Sequence, residues 1–172
     1  MRRYIAIYIR VVDKINYRIG RFIMYGIFAM MAVLLWSSIS KTFFLPSLWT
    51  LEIAQFFMVG YYILGGAYSI QLGSNVRMDL FYANWSDRRK AAFDAVTIFM
   101  LLFYLSVLLY GGLESTIYSL EYGERSPTAW RPYIWPIKIV MCIGIVMMLL
   151  QAISELFKDI MKLLSERQPD VL

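Results

Sequence analysis

Four apolar stretches, Phe22–Ile39, Trp49–Val76, Ala91–Leu113 and Pro132–Ser154, leave this chain few folds to choose from. The hydrocarbon core of a bilayer is about 30 Å thick and takes roughly 20 apolar residues of helix to cross. Each stretch is too long and too continuously apolar for the alternating pattern of a membrane barrel strand, so helices are the consistent reading. Composition agrees, because 60% of the residues are hydrophobic and 17% charged, outside the range of soluble domains. The expectation is an all-α integral membrane protein: a basic segment over 1–21, four transmembrane helices within 22–156, and a helical extension and tail over 157–172.

Residue counts then remove whole classes of chemistry. Cys142 is the single cysteine and histidine is absent. One cysteine inside an apolar run forms no internal disulfide and no CxxC pair. Haem and zinc sites ordinarily take histidine or cysteine clusters as ligands. No nucleophile, base and orienting group fall at helical spacing within the spans, and no glycine-rich phosphate loop is present. The expectation is therefore no enzyme activity, no cofactor, no bound metal and no nucleic-acid partner.

Positive charge is distributed unevenly. Arg2, Arg3, Arg10, Lys14, Arg18 and Arg21 precede the first span, Arg77, Arg88, Arg89 and Lys90 follow the second, and Lys158, Lys162 and Arg167 follow the fourth. The first loop has only Lys41, and the third has Arg125 and Arg131 against Glu114, Glu121 and Glu124. The positive-inside rule then places both termini in the cytoplasm. Residues 1–21 carry no A-x-A-like site after the first span, so the segment does not read as a cleaved signal. Ile5, Tyr8, Ile9, Val12, Ile15 and Ile19 share one helical face, with Arg10, Lys14, Arg18 and Arg21 on another. Such a helix suits the membrane interface and its lipid; a basic flank that only sets orientation is the simpler alternative.

Ionisable residues inside spans are scarce. Glu52 and Lys138 sit at similar depth near the outer ends of the second and fourth spans, so an inter-helix ion pair between them is one expectation and independent snorkelling to the headgroups is the other. Asp94 follows Lys90 by four residues, an ordinary same-face helix pair. No chain of carboxylates runs through the membrane depth, so the chain has little apparatus of its own for moving a solute. Gly65, Ser69 and Gly73 recur every four residues and offer a face for close approach of another helix, in this chain or in a partner. In YGERSPTAWRPYIWPIKI, Tyr122–Ile139, three prolines stiffen the backbone, and Trp130 and Trp135 are suited to anchoring it in headgroups or on a partner's outer surface.

Length, the four-span pattern, the motif SNVRMDLFYANWSDRRKAAFD and the segment PTAWRPYIWPIKI running on to Gln151 together resemble the small membrane subunit (DctQ type) of tripartite ATP-independent periplasmic (TRAP) transporters. In that likeness Arg77 and Asp79 occupy the arginine, hydrophobic, aspartate motif and would lock the loop they lie in. Asn75 stands about where many members carry histidine, which puts a histidine-dependent role of that loop in doubt. The resemblance implies a bacterial inner-membrane protein that packs beside a large TRAP membrane subunit as part of its immobile scaffold. A periplasmic substrate-binding protein would deliver an organic acid, of keto or hydroxy type by the wording of Pro127–Lys138. Sodium coupling and the elevator movement would reside in the large subunit. Two competing readings remain: a self-associating four-helix pore or exporter, and a lipid-directed enzyme using Glu114, Glu121 or Glu124.

Overall fold

The computed structural model describes residues 2–73 and 87–165, which form five helices. These are α1 (Arg2–Met24), α2 (Gly26–Phe43), α3 (Thr50–Gln71), α4 (Asp87–Glu121) and α5 (Trp135–Ser165). Four stretches are long and apolar enough to cross a membrane: Tyr4–Phe43, Thr50–Gln71, Val96–Glu121 and Trp135–Met161. The chain is thus a multi-pass helical membrane protein. Asn75, Arg77, Asp79, the side chains of Lys90 and Asp94, and the tail beyond Ser165 lie outside the described residues.

Local sequence explains where the helices stop. A short turn at Tyr25, whose N–H donates to the Phe22 carbonyl at 3.2 Å and whose own carbonyl accepts from Phe28 N–H at 3.1 Å, separates α1 from α2. Phe44 turns extended as the chain approaches Pro46, ending α2. Two glycines end α3 and α4. Gly73 (φ +61°) lets its N–H donate to the Ile70 carbonyl, and Gly123 (φ +59°) lets Glu124 N–H donate back to Ser119. Both are left-handed caps that a side chain would strain. Thus α3 stops at Gln71, short of the expected span end at Val76, and Gly73 is a helix terminator. Conversely α4 runs two turns past Leu113, placing Glu114 and Glu121 on helix and shortening the loop that leads to α5.

The helices do not close into a bundle. α2 packs on α3, α3 on α5, and α5 on α4, giving a row in the order α2–α3–α5–α4, with α1 laid against α3 and α5. The last of the five helices in sequence is thus an inner one in space, between α3 and α4. Cys142, Ile145, Met147 and Ala152 of α5 are all buried, Ile145 and Ala152 almost completely. Close backbone approach makes these contacts: a Cβ built on Gly144 would stand 2.4 Å from Ile63 Cγ2, and one on Gly66 2.7 Å from Met148 Sδ. Large side chains on the outward faces, such as Phe99, Phe103, Tyr104 and Val107 of α4, stay exposed, as lipid-facing surface should be.

Candidate functional site

Most of the organised polar groups gather towards the two ends of the helices along their axes. At one end α1 meets α3 and α5. Asn16, almost fully buried, donates to Gln151 Oε1 at 2.7 Å, and Gln151 Nε2 donates to Asp13 Oδ1 at 2.9 Å and Glu155 Oε1 at 3.0 Å. Lys158 bridges Asp13 at 2.7 Å and Glu155 at 2.8 Å, and the Ser154 hydroxyl donates to Asp13 at 3.3 Å. Gln71, the last residue of α3, donates to the Asp13 carbonyl at 3.1 Å. Tyr8 closes the joint by donating to the Leu150 carbonyl at 3.1 Å and packing edge-on against Phe157. Hydrogen bonds to charged groups contribute about 1.5–3 kcal/mol each where water is excluded, so this joint holds α1 firmly.

At the opposite end a latch ties the loop between α4 and α5 to both helices. Lys138 Nζ donates to Glu124 Oε2 at 2.8 Å, to the Ser119 hydroxyl, and to the Ser115 carbonyl at 3.3 Å. Ser119 in turn donates to the same Glu124 oxygen. The Lys138 ammonium and the Ser119 hydroxyl hold the Glu124 carboxyl below the usual carboxylate range, against a smaller opposing effect of burial. The loop folds on itself as a small hairpin: Ile134 N–H donates to the Glu124 carbonyl and Ser126 N–H to the Pro132 carbonyl. The Arg125 guanidinium lies over the Tyr133 ring at 4.3 Å, a cation–π contact. Beside it, Ser37, Ser40, Ser47 and Thr50 join hydroxyls across the α2–α3 turn, with Thr50 Oγ1 2.9 Å from Ser37 Oγ.

These are joints between helices, and among the described residues no three His, Cys, Asp or Glu gather as a metal site. The family described as tripartite ATP-independent periplasmic transporters, DctQ component, matches residues 21–162 of this chain. The chain belongs to the DctQ family. It is accordingly a small membrane component of a TRAP transporter. A comparison with curated proteins finds no match.

Within this DctQ chain the expected site residues fall as follows. Glu52 and Lys138 do not pair. Gly144 and Val140, on the α3 side of α5, meet Ile63 and Gly60, whereas Cys142 of the same helix meets Thr116 and Gly112 of α4. Lys138, one turn before Cys142, shares that α4 side and so reaches Ser119 and Glu124 instead. Glu52 stands on the face of α3 that carries Gly60 and Ile63; it is 5% exposed, and its Oε2 has no hydrogen-bond partner. Gly65 points to open space, with nothing within 4 Å of a built Cβ, while the close contacts within the chain fall to Gly66 and Gly144. Ser69 lies one turn further along α3. Trp130 lies within the turn of the hairpin and Trp135 opens α5 just after it; they remain 42% and 37% exposed.

The residues sequence reasoning missed are Asp13, Asn16, Gln151 and Ser154. Their signal was present: Gln151 and Ser154 interrupt an apolar run at helical spacing, and Asp13 and Asn16 interrupt the apolar face of α1. Two sets of polar residues, each on an otherwise apolar face, were complementary halves of one joint.

Proposed function

We propose that this DctQ-family chain is a non-catalytic scaffold subunit of an inner-membrane TRAP transporter. It packs beside a large membrane subunit that holds the substrate and sodium sites and carries an organic acid by an elevator movement. A periplasmic binding protein supplies the acid from the outer side, where the Trp130–Trp135 hairpin sits. The observation that carries the reading is the family match over residues 21–162. The open row supports it. A single layer of helices, pinned at both ends by ionic joints, has broad apolar faces to lay against a larger membrane body, and Gly65 and Ser69 offer a close-approach strip on one of them.

The test is affinity purification of the tagged chain from its native membranes in mild detergent, with quantification of what accompanies it. A many-span membrane protein in near-equal amount supports the scaffold reading. A homo-oligomer alone, carrying solute flux after reconstitution, would overturn it and make this chain the transporter.

A further inference from the structure

Three cations at the α1–α2 junction take no part in either joint. Lys14, Arg18 and Arg21 are exposed and form no ion pair among the described residues, although Lys158 and Lys138 are each engaged by carboxylates. Together with Tyr17, Phe22 and Tyr25 they line an open cleft of about 430 Å³. Arg21 donates to the Tyr17 hydroxyl at 3.4 Å, which turns its guanidinium across the cleft. The position is fixed by α3: Tyr17 packs edge-on against Tyr68, and a Cβ on Gly20 would meet Tyr68 at 2.4 Å, so the cleft lies within a turn or so of the end of α3 at Gln71. Gln71 also ends the apolar stretch Thr50–Gln71, the depth at which headgroups succeed hydrocarbon in the membrane placement on which the inference rests.

The surroundings define the ligand. On α1, Tyr4, Ile7, Val11, Ile15 and Phe22 form an exposed apolar stripe at helical spacing, on the side away from buried Val12, Asn16 and Gly20. The exposed side chains of Ile27 and Phe28 continue the apolar surface onto α2. A ligand that fits must bring negative charge to the three cations and apolar chains to this surface. We propose that the cleft is a binding site for an anionic phospholipid: its phosphate lies between Lys14, Arg18 and Arg21, its glycerol backbone against Tyr17 and Tyr25, and its acyl chains along Phe22 and α2. Basic residues beside membrane helices attract anionic headgroups, and aromatic rings favour the interface. The proposal depends on the membrane placement of α1 and α2 and is independent of what the transporter carries.

The experiment uses the full chain, purified in mild detergent with whatever subunit accompanies it. Thermal midpoints are measured with added phosphatidylglycerol, phosphatidylcholine or inorganic phosphate, and retained lipid is counted by native mass spectrometry. Phosphatidylglycerol should raise the midpoint and be retained, while phosphatidylcholine and inorganic phosphate should do neither. The triple variant K14Q/R18Q/R21Q should weaken phosphatidylglycerol binding on the order of a hundredfold, given roughly one decade or less for each cation lost. K14R/R18K/R21K, which keeps charge, and R10Q/K41Q, which removes charge elsewhere, should both retain it and serve as folding controls. Equal retention by the triple variant, equal response to phosphatidylcholine, or full reproduction of the shift by inorganic phosphate each overturns the proposal. So does loss of an accompanying protein from the triple variant with lipid retention intact.

Discussion

Glu124 shows how much one carboxylate organises. It accepts from Lys138 and Ser119 together, so the loop, α4 and α5 are tied through one oxygen. Because its carboxyl is held below the usual carboxylate range, the contact stabilises the folded chain fully above the ordinary carboxylate pKa and the contribution is lost as pH falls through the lowered value. Thermal midpoints in detergent between pH 3 and 7 should therefore separate the native chain from E124Q near neutrality and converge at the acid end; a constant gap would show that the latch is not carboxylate-dependent. The glycines give a second contrast. Gly144→Ala forces a methyl onto Ile63 and should cost about 1–3 kcal/mol by overpacking, read as a lower midpoint. Gly65→Ala meets nothing in this chain and should be neutral or stabilising by up to about 1 kcal/mol in the isolated protein. Sequence spacing singled out Gly65, Ser69 and Gly73 as alike. It did not separate a lipid- or partner-facing glycine from a helix terminator, because both roles ask only for the absence of a side chain.

At the scale of elements, α1 is the instructive one. Its helical period was legible, and residues 2–24 are helix, but which neighbours its polar residues meet was not. The apolar face that the spacing defined holds both Val12, which is buried, and Ile15, which is half exposed, while Asn16 and Gly20 are buried against α5 and α3. Hydropathy does not distinguish a side chain dissolved in lipid from one packed on protein, and a polar residue facing a complementary polar partner looks like a solvated one. The Asp13 joint makes α1's attachment testable. Asp13→Ala removes the acceptor of Gln151, Ser154 and Lys158 and leaves the lysine with Glu155 alone, at a cost of about 1–3 kcal/mol. Hydrogen exchange should rise through residues 2–20 while α3 and the inner part of α5 keep their protection. Uniform loss of protection would mean that α1 is a folding determinant of the whole row. Gly65→Leu belongs to the same scale: co-purification of a large membrane subunit should fall sharply while the isolated chain's midpoint hardly moves.

For the whole molecule, the membrane class and the four crossings were legible because bilayer thickness and apolar run length are physically coupled. The order of the helices in space was not, since periodicity says that a face is apolar and not which neighbour covers it. The sidedness inferred from charge has a direct measurement. Cys142 is buried, so C142S should give a silent background for single-cysteine labelling. In spheroplasts, Thr128→Cys in the hairpin should react with a membrane-impermeant maleimide, and Arg10→Cys only after permeabilisation. The reverse pattern would invert the topology.

The joint at Asp13 also imposes an order on biosynthesis. Its hydrogen-bonded halves stand 135–141 residues apart along the chain, one in α1 and the other in α5. Until α5 is inserted, the Asp13 carboxylate and the Asn16 amide lack their partners, α1 is held by α3 alone, and α3 and α4 lack the helix that joins them. A chain cut short before Gln151 therefore displays at its amino-terminal end a bare carboxylate and amide that the finished protein conceals. Insertion of α5 is thus registered on α1, so a membrane protease or chaperone inspecting α1 alone could tell a row that has gained α5 from one that still lacks it.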